Sequence, residues 1–372
     1  MDTEGDSRDG LDEALREVGL AADPTDLFGP VPVDGGPLPA AAASAYRRLA
    51  RRLHPDTAPP LRAAEAADGF TRLTEAWRRY QRAAEGGPGL DDVTLVTRER
   101  TYHVSRGGPL ASGDVADLHP MRWRGDDPAA PGGGWHDGVL KLPRAPRDND
   151  LVLAEATALR RVREHGQERY RAFVPRLVES LRHRDAATGV ERRGNVLDRL
   201  TGFHNLAEVR RARPEGIDPR DAAWMWRRLL VALGNAHGAG VVHGAVIPEH
   251  VLIHPEQHGL VLVDWCYSVT FASSRTAPHV PAMVPHRRDT YPPEVADRRP
   301  AVPATDVYMA TRCVEFVTGG RLPGPLRALA RGCTLPSPER RPADAFALLG
   351  EVDRALERCF GPRRFRPFSM PG

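Results

Sequence analysis

The stretch "GVLKLPR" (138–144) contains the one lysine of the chain; every other member of its 52 Lys+Arg is arginine. A composition this biased discards lysine wherever any cation will do. A lysine ammonium is a compact point charge, whereas an arginine guanidinium is a wide planar fork. The question is therefore what Lys141, on a predicted strand, does that an arginine cannot, unless it is a chance survivor of the composition bias. The next segment, "NDLVLAEATALRRVREHG" (149–166), predicts a helix whose apolar stripe is Leu151, Ala154, Ala158, Leu159 and Val162. Glu155 lies among these residues and not on the arginine-rich face, so it calls for a buried cation partner.

Working outward, "VTLVTRERTYHVSR" (93–106) and "GGPLASGDVADLH" (107–119) read as strands around a Gly-containing loop. Short strands with a hairpin at "ATGVERR" (187–193) fill 173–200. A long helix follows at "DPRDAAWMWRRLLVALGNAHGAG" (218–240), then "VVHGAVIPEHVLIHPEQHGLVLVDWCYS" (241–268), then helices punctuated by proline.

Strand-lysine, helix-glutamate, a His-containing loop and strand-Asp, in this order, resemble the protein-kinase fold over about residues 93–360. Lys141 stands at the V-A-I-K lysine, which contacts nucleotide phosphates in that family, and Glu155 at the helix glutamate that pairs with it. Gly108, Gly113 and Val115 match the phosphate-covering G-x-G-x-x-G-x-V loop, with Leu110 at its middle glycine. "HGAVIPEHVL" (243–252) overlays the catalytic loop H-R-D-L-K-P-E-N-V-L, beginning at His243. "VDWC" (263–266) overlays the Asp-Phe-Gly element, with Asp264 as the magnesium ligand. "YPPE" (291–294) is similar to the Ala-Pro-Glu element, Asp306 falls on the helix after it, and "PERRP" (338–342) places Arg341 to pair with Glu294. The resemblance implies a bilobal kinase-like fold, with a β-rich N-lobe at 93–200 and an α-rich C-lobe at 201–360. It also implies ATP and Mg2+ as cofactors, bound without turnover.

The departures argue against catalysis. Ala245 replaces the catalytic aspartate, Gly244 the preceding arginine, Ile247 the loop lysine, and His250 the asparagine that holds a second metal. Trp265 and Cys266 replace Phe-Gly. Loss of a general base alone typically costs about 10²–10⁴-fold in rate. The expectation is a pseudokinase. Glu249 as a substitute base is disfavoured, and "HRRD" (286–289) reads as a solvated loop. His243, His250, His254 and His258 are expected in core or surface roles, since zinc needs converging ligands.

The N-terminal region differs. "AAASAYRRLARRLHPD" (41–56) predicts a helix with apolar face Ala45, Tyr46, Leu49, Ala50 and Leu53 and a basic stripe of Arg47, Arg48, Arg51 and Arg52. "AADGFTRLTEAWRRYQRA" (66–83) predicts a second, with Phe70, Leu73, Ala76 and Trp77 inward. Together with "DLFG" (26–29), this helical hairpin resembles the J-domain of DnaJ-type co-chaperones over about residues 24–84. His54, Pro55 and Asp56 match the His-Pro-Asp signature, which in that family stimulates ATP hydrolysis by a DnaK-type chaperone. The basic stripe would be the docking face. The segment before the basic helix is longer than in the family, and no Gly/Phe-rich stretch or client-binding β domain follows.

The fold class expected is α+β: a small all-α J-domain-like hairpin (24–84), then the kinase-like module. Residues 1–23 read as a disordered N-terminus, 85–92 as a linker, and 361–372 as a C-terminal tail. "GPRRFRPF" (361–368) packs as a tail or, alternatively, binds RNA or protein. Net charge is +3, so no strong field favours nucleic acid or an anionic membrane. Cys266, Cys313, Cys333 and Cys359 are dispersed with no CxxC pair, which argues against a disulfide framework or a zinc ribbon. The N-terminus is acidic and polar, unlike a secretory signal, and a cytoplasmic location is expected. The expected partners are a DnaK-type chaperone and a further protein held by the kinase-like module. The competing expectation is an atypical Ser/Thr kinase targeted by its J-domain; a third is a scaffold that binds no nucleotide.

Overall fold

In a computed structural model of the protein, the described residues are 3–21, 23–30, 38–53, 58–59, 62–84, 93–105, 108–124, 135–184, 189–271 and 278–370. The chain divides into two units, Met1–Asp92 and Val93–Gly372. The expected linker at 85–92 lies outside the described residues. No helix among those described is long and apolar enough to cross a membrane.

Unit 1 is helical: α1 (Thr3–Leu20), α2 (Pro24–Phe28), α3 (Ala40–Arg52) and α4 (Ala63–Ala84). The first of these corrects the expectation of a disordered segment over 1–23. Leu11, Ala14, Leu15 and Val18 recur at i, i+3, i+4 and i+7, so α1 owns an apolar face that the surrounding charges conceal, and it packs on α3 and α4. The short helix α2 starts at a reciprocal cap: the Asp23 side chain accepts from Thr25 N–H, and Asp26 accepts from Asp23 N–H. Its Phe28 meets Trp77 edge-on at 4.9 Å, and Trp77 stacks on Tyr46 at 4.9 Å. That aromatic cluster ties α2, α3 and α4 together.

Unit 2 is mixed α/β. Its curled antiparallel sheet contains β1 (Val93–Val96), β2 (Thr101–Val104), β3 (Ala111–Ser112), β4 (Ala116–Arg124) and β5 (Trp135–Pro143). Helix α5 (Asn149–His165) precedes β6 (Leu177–Arg184) and β7 (Glu191–Asp198), which complete the sheet in the order β1-β2-β4-β5-β7-β6, with β3 on β4. Every pairing is antiparallel. The register sets Lys141 of β5 directly opposite Asn195 of β7. Cross-strand partners project from the same face, so both aim at α5, which covers that face.

The remainder contains β8 (His204–Asn205), α6 (Leu206–Ala212), α7 (Pro219–Gly238), β9 (Val241–Val242), β10 (Val251–His254), β11 (Gly259–Leu262) and β12 (Val269–Thr270). It ends with α8 (Pro293–Ala296), α9 (Pro303–Thr318), α10 (Gly324–Cys333) and α11 (Ala345–Phe360). Helix α7 is buried along most of its length, including Trp226, Leu229, Leu230 and Leu233, and packs on α9 and α11. The tail folds back onto this helix: Phe368 lies edge-on to Trp224 and Phe365 stacks on His258, which itself stacks on Trp224.

Candidate functional site

The opening lysine lies at the centre of a buried charge cluster. Lys141 is 6% exposed, Glu155 fully buried. Lys141 Nζ donates to Glu155 Oε1 at 2.9 Å and to Asp264 Oδ1 at 2.8 Å. Glu155 therefore has the cation partner its position demanded. Its second oxygen accepts from Asn195 Nδ2 at 2.9 Å, and the same amide donates to Val152 O. The Trp265 backbone N–H donates to Glu155 Oε1 at 3.2 Å. Asn195 carried no signal in the sequence, since an asparagine inside "GNVLD" joins the site only through the β5–β7 register.

Burial works against the Lys141 ammonium, but the facing Asp264 and Glu155 outweigh it and hold the lysine well above its ordinary range. Burial likewise disfavours the Asp264 carboxylate, and Lys141 with His250 more than compensates, so its pKa is depressed well below the usual value. Asp264 has φ 61°, in the left-handed region where a non-glycine residue is strained. The 3-10 turn Trp265–Tyr267, immediately after it, is anchored through its aromatic side chains. Trp265 Nε1–H donates to Leu262 O at 2.8 Å, its ring meets His243 edge-on, and Tyr267 OH donates to Asp114.

His250 is the group that sequence reasoning undervalued. Its Nδ1 faces Ala245 O at 2.8 Å, and its Nε2 faces Asp264 Oδ2 at 3.2 Å. A carbonyl at one ring nitrogen and a carboxylate near the other can only accept, so the surroundings favour the charged form of the ring. Burial opposes that charge, yet Asp264 and the Ala245 carbonyl raise the His250 pKa above its ordinary value. The neighbouring His243 is the opposite case. Its Nδ1 accepts from Ala245 N–H, which leaves the proton on Nε2 to donate to Val263 O at 3.0 Å. Burial pushes it down to about 4, so it stays neutral.

These contacts bear on whether magnesium fits. Mg2+ takes close to six hard oxygen ligands. Both oxygens of Asp264 are already engaged, one by the Lys141 ammonium and one by His250. The other ligand-capable groups beside it are Glu155, itself held by Lys141, and Cys266, whose thiol is kept protonated by burial. Glu155, Asp264 and Cys266 bring their ligand atoms within 4.8 Å of one another, but they offer few of the six hard oxygens, and the magnesium role of Asp264 stays what the resemblance implies. Among the described residues, the four histidines of 243–258 form no metal cluster.

The frame around the cluster is built from the residues expected to be structural. Asp306 accepts from the backbone N–H of His243 (2.8 Å) and of Gly244 (2.9 Å), and faces His237 Nε2 at 2.9 Å. Gly244 has φ 76°, and a Cβ there would lie 2.5 Å from Tyr267 O, so no arginine can stand at this position. Arg341 and Glu294 form a bidentate pair at 2.6 and 2.8 Å, buried on both sides. Ala245 is fully buried and brings no carboxylate. Glu249 is held bidentately by Arg287 at 2.6–3.0 Å, which removes it as a substitute base and ties down the "HRRD" segment read as a solvated loop.

Gly108, Gly113 and Val115 do not join the charge cluster. Val115 is buried in the main core, and Gly113 makes a tight turn through its N–H to Ala116 O. The expected chaperone-facing residues belong to unit 1. His54, Pro55 and Asp56 lie outside the described residues. Arg47, Arg48, Arg51 and Arg52 lie on α3, where Arg47 and Arg51 are exposed while Arg48 and Arg52 are paired with α1.

No protein-family model matches the chain, and no curated protein matches it either.

Proposed function

We propose that this chain is an adaptor that recruits a DnaK-type chaperone through a J-domain-like unit 1 and carries a kinase-like unit 2 that transfers no phosphate. The observation that carries the reading is the closure of the charge cluster. Lys141, Glu155, Asp264 and His250 satisfy one another, two positive and two negative groups, while Ala245 leaves no base to take a hydroxyl proton. In the proposed bilobal arrangement, 93–200 and 201–360 are the two lobes that this cluster clamps together. Such a module holds a further protein partner as a scaffold, and ATP contributes no chemistry to it.

The test uses the full chain with a purified DnaK-type chaperone. Stimulated ATP hydrolysis that disappears in His54→Gln supports the recruiting half; stimulation unchanged by His54→Gln overturns it. A thermal melt with and without Mg·ATP addresses the other half. Saturating a site at 100 times its dissociation constant adds roughly 2.7 kcal/mol of stability, so a cluster whose charges satisfy one another predicts an unmoved melt. The intact Lys141–Glu155–Asp264 contact favours a second reading, an atypical Ser/Thr kinase. That reading requires Mg·ATP-dependent phosphate transfer that is lost in Asp264→Asn.

A further inference from the structure

The helix α1 was absent from every sequence expectation, and its placement bears on the stripe meant for a partner. Glu17 receives Arg48 through two bonds of 2.7 and 3.0 Å, and Glu13 receives Arg52 at 2.7 Å. Asp12 adds a third pair, to Arg62 ahead of α4, at 2.6 Å. Glu13 and Glu17 are four apart, as are Arg48 and Arg52, so each pair lies along one helix face. Moving toward the N-terminus of α1 means moving toward the C-terminus of α3, so the two helices run antiparallel with their charges in register.

An apolar seam lies beside this ladder. Leu11, Ala14 and Val18 are buried, and Leu15 sits over Gly69 of α4, where a Cβ would come 2.6 Å from Leu15 Cδ2 and 3.0 Å from Leu53 Cδ2. Gly69 is the notch that lets α1 come down between the two hairpin helices. The seam supplies the affinity of α1 for the hairpin, since half-exposed ion pairs contribute little. The ion pairs set register and choose which face is covered. Arg48 draws Glu17 below the ordinary carboxylate range through their hydrogen bond.

We propose that α1 is a built-in occupant of the α3 docking surface. It ion-pairs with Arg48 and Arg52, which stay partly exposed, and leaves Arg47 and Arg51 exposed, so that a chaperone engages the whole stripe only by displacing it. The partner surface that fits presents carboxylates one helical turn apart, the pattern α1 itself presents. This rests on the reading of unit 1 as J-domain-like. A surface covered for most of the time loses apparent affinity in proportion to the fraction left open.

The experiment compares the full chain with its Glu13→Arg/Glu17→Arg variant in stimulating a purified DnaK-type chaperone, with His54→Gln in each background. The apolar seam is retained in the variant, so the hairpin keeps its core. A half-maximal concentration about 5–10-fold lower in the variant, a typical coupling, with both activities lost in His54→Gln, supports the proposal. Equal half-maximal concentrations that still depend on His54 overturn the lock and leave the J-domain reading standing. No stimulation by either form overturns that reading and the lock with it. Hydrogen exchange on the unmutated chain gives an independent readout. Chaperone binding should deprotect 10–20 while protecting α3, and α1 protection unchanged during α3 binding refutes displacement.

Discussion

Replacing Lys141 tests whether the cluster needs an ammonium and not just a positive charge. In Lys141→Met, two carboxylates lose their shared cation inside the protein. Breaking a buried pair by removing one partner costs about 3–5 kcal/mol. Here Asn195 and the Trp265 N–H still hold Glu155, and His250 still faces Asp264, so the lower end, about 3 kcal/mol, is expected. For a unit spanning Val93–Gly372, that lowers Tm by roughly 5 °C. Lys141→Arg keeps the charge but forces a wider head group between oxygens already at 2.8 and 2.9 Å. Overpacking of this kind costs about 1–3 kcal/mol, or roughly 2–5 °C. Lys141→Met/Glu155→Gln should recover about half of the loss of the single Met variant, because an amide replaces the uncompensated carboxylate. Scanning calorimetry of the four proteins at one pH reads all three values. A Lys141→Arg melt within about 1 °C of the parent would refute the size argument and make the single lysine an accident of composition.

Three further outcomes rest on the same geometry. His250 is raised and His243 is lowered to about 4, so their linkages oppose each other around the ordinary imidazole value of 6.5. The His250 contribution is complete below pH 6.5 and is lost as pH rises through its raised pKa; the His243 contribution, about 3 kcal/mol, is complete above pH 6.5 and is lost as pH falls toward 4. Urea melts across pH 4–8 should therefore show a maximum near 6.5, and His250→Asn should flatten only the alkaline limb. Arg341→Met should cost about 3–5 kcal/mol, because it strands Glu294 beside Thr305 in the core; chemical denaturation with no loss of midpoint would contradict a buried pair. Gly244→Ala should destabilise by more than about 1 kcal/mol, since it combines a positive φ with a Cβ against the Tyr267 carbonyl; an unshifted melt would mean that this loop relaxes freely.

Where the information resides differs between elements. The hairpin helices of unit 1, the strand with Lys141 and the helix with Glu155 were legible, because their apolar spacing repeats at the period of the element that forms. The need of Glu155 for a cation was legible too, since a carboxylate on an apolar stripe cannot be buried alone. Helix α1 was not, because the four apolar residues of its packed face are set among charges whose partners lie 31 and 39 positions away on α3. Its stability comes from a surface that exists only after the hairpin has formed.

The charge cluster shows the same division at the scale of single atoms. From the sequence alone come the identity of the ammonium, its strand, and the alanine at 245. Tertiary structure alone decides that Asn195 closes the other oxygen of Glu155, that His250 stands between two acceptors, and that Asp264 faces Lys141 with one oxygen and His250 with the other. Residues far apart in the chain, 141, 155, 195, 250 and 264, have no local pattern linking them. Antiparallel register and the packing of α5 on the sheet bring them within hydrogen-bond range, and there the charge of each is set by what the others can accept or donate.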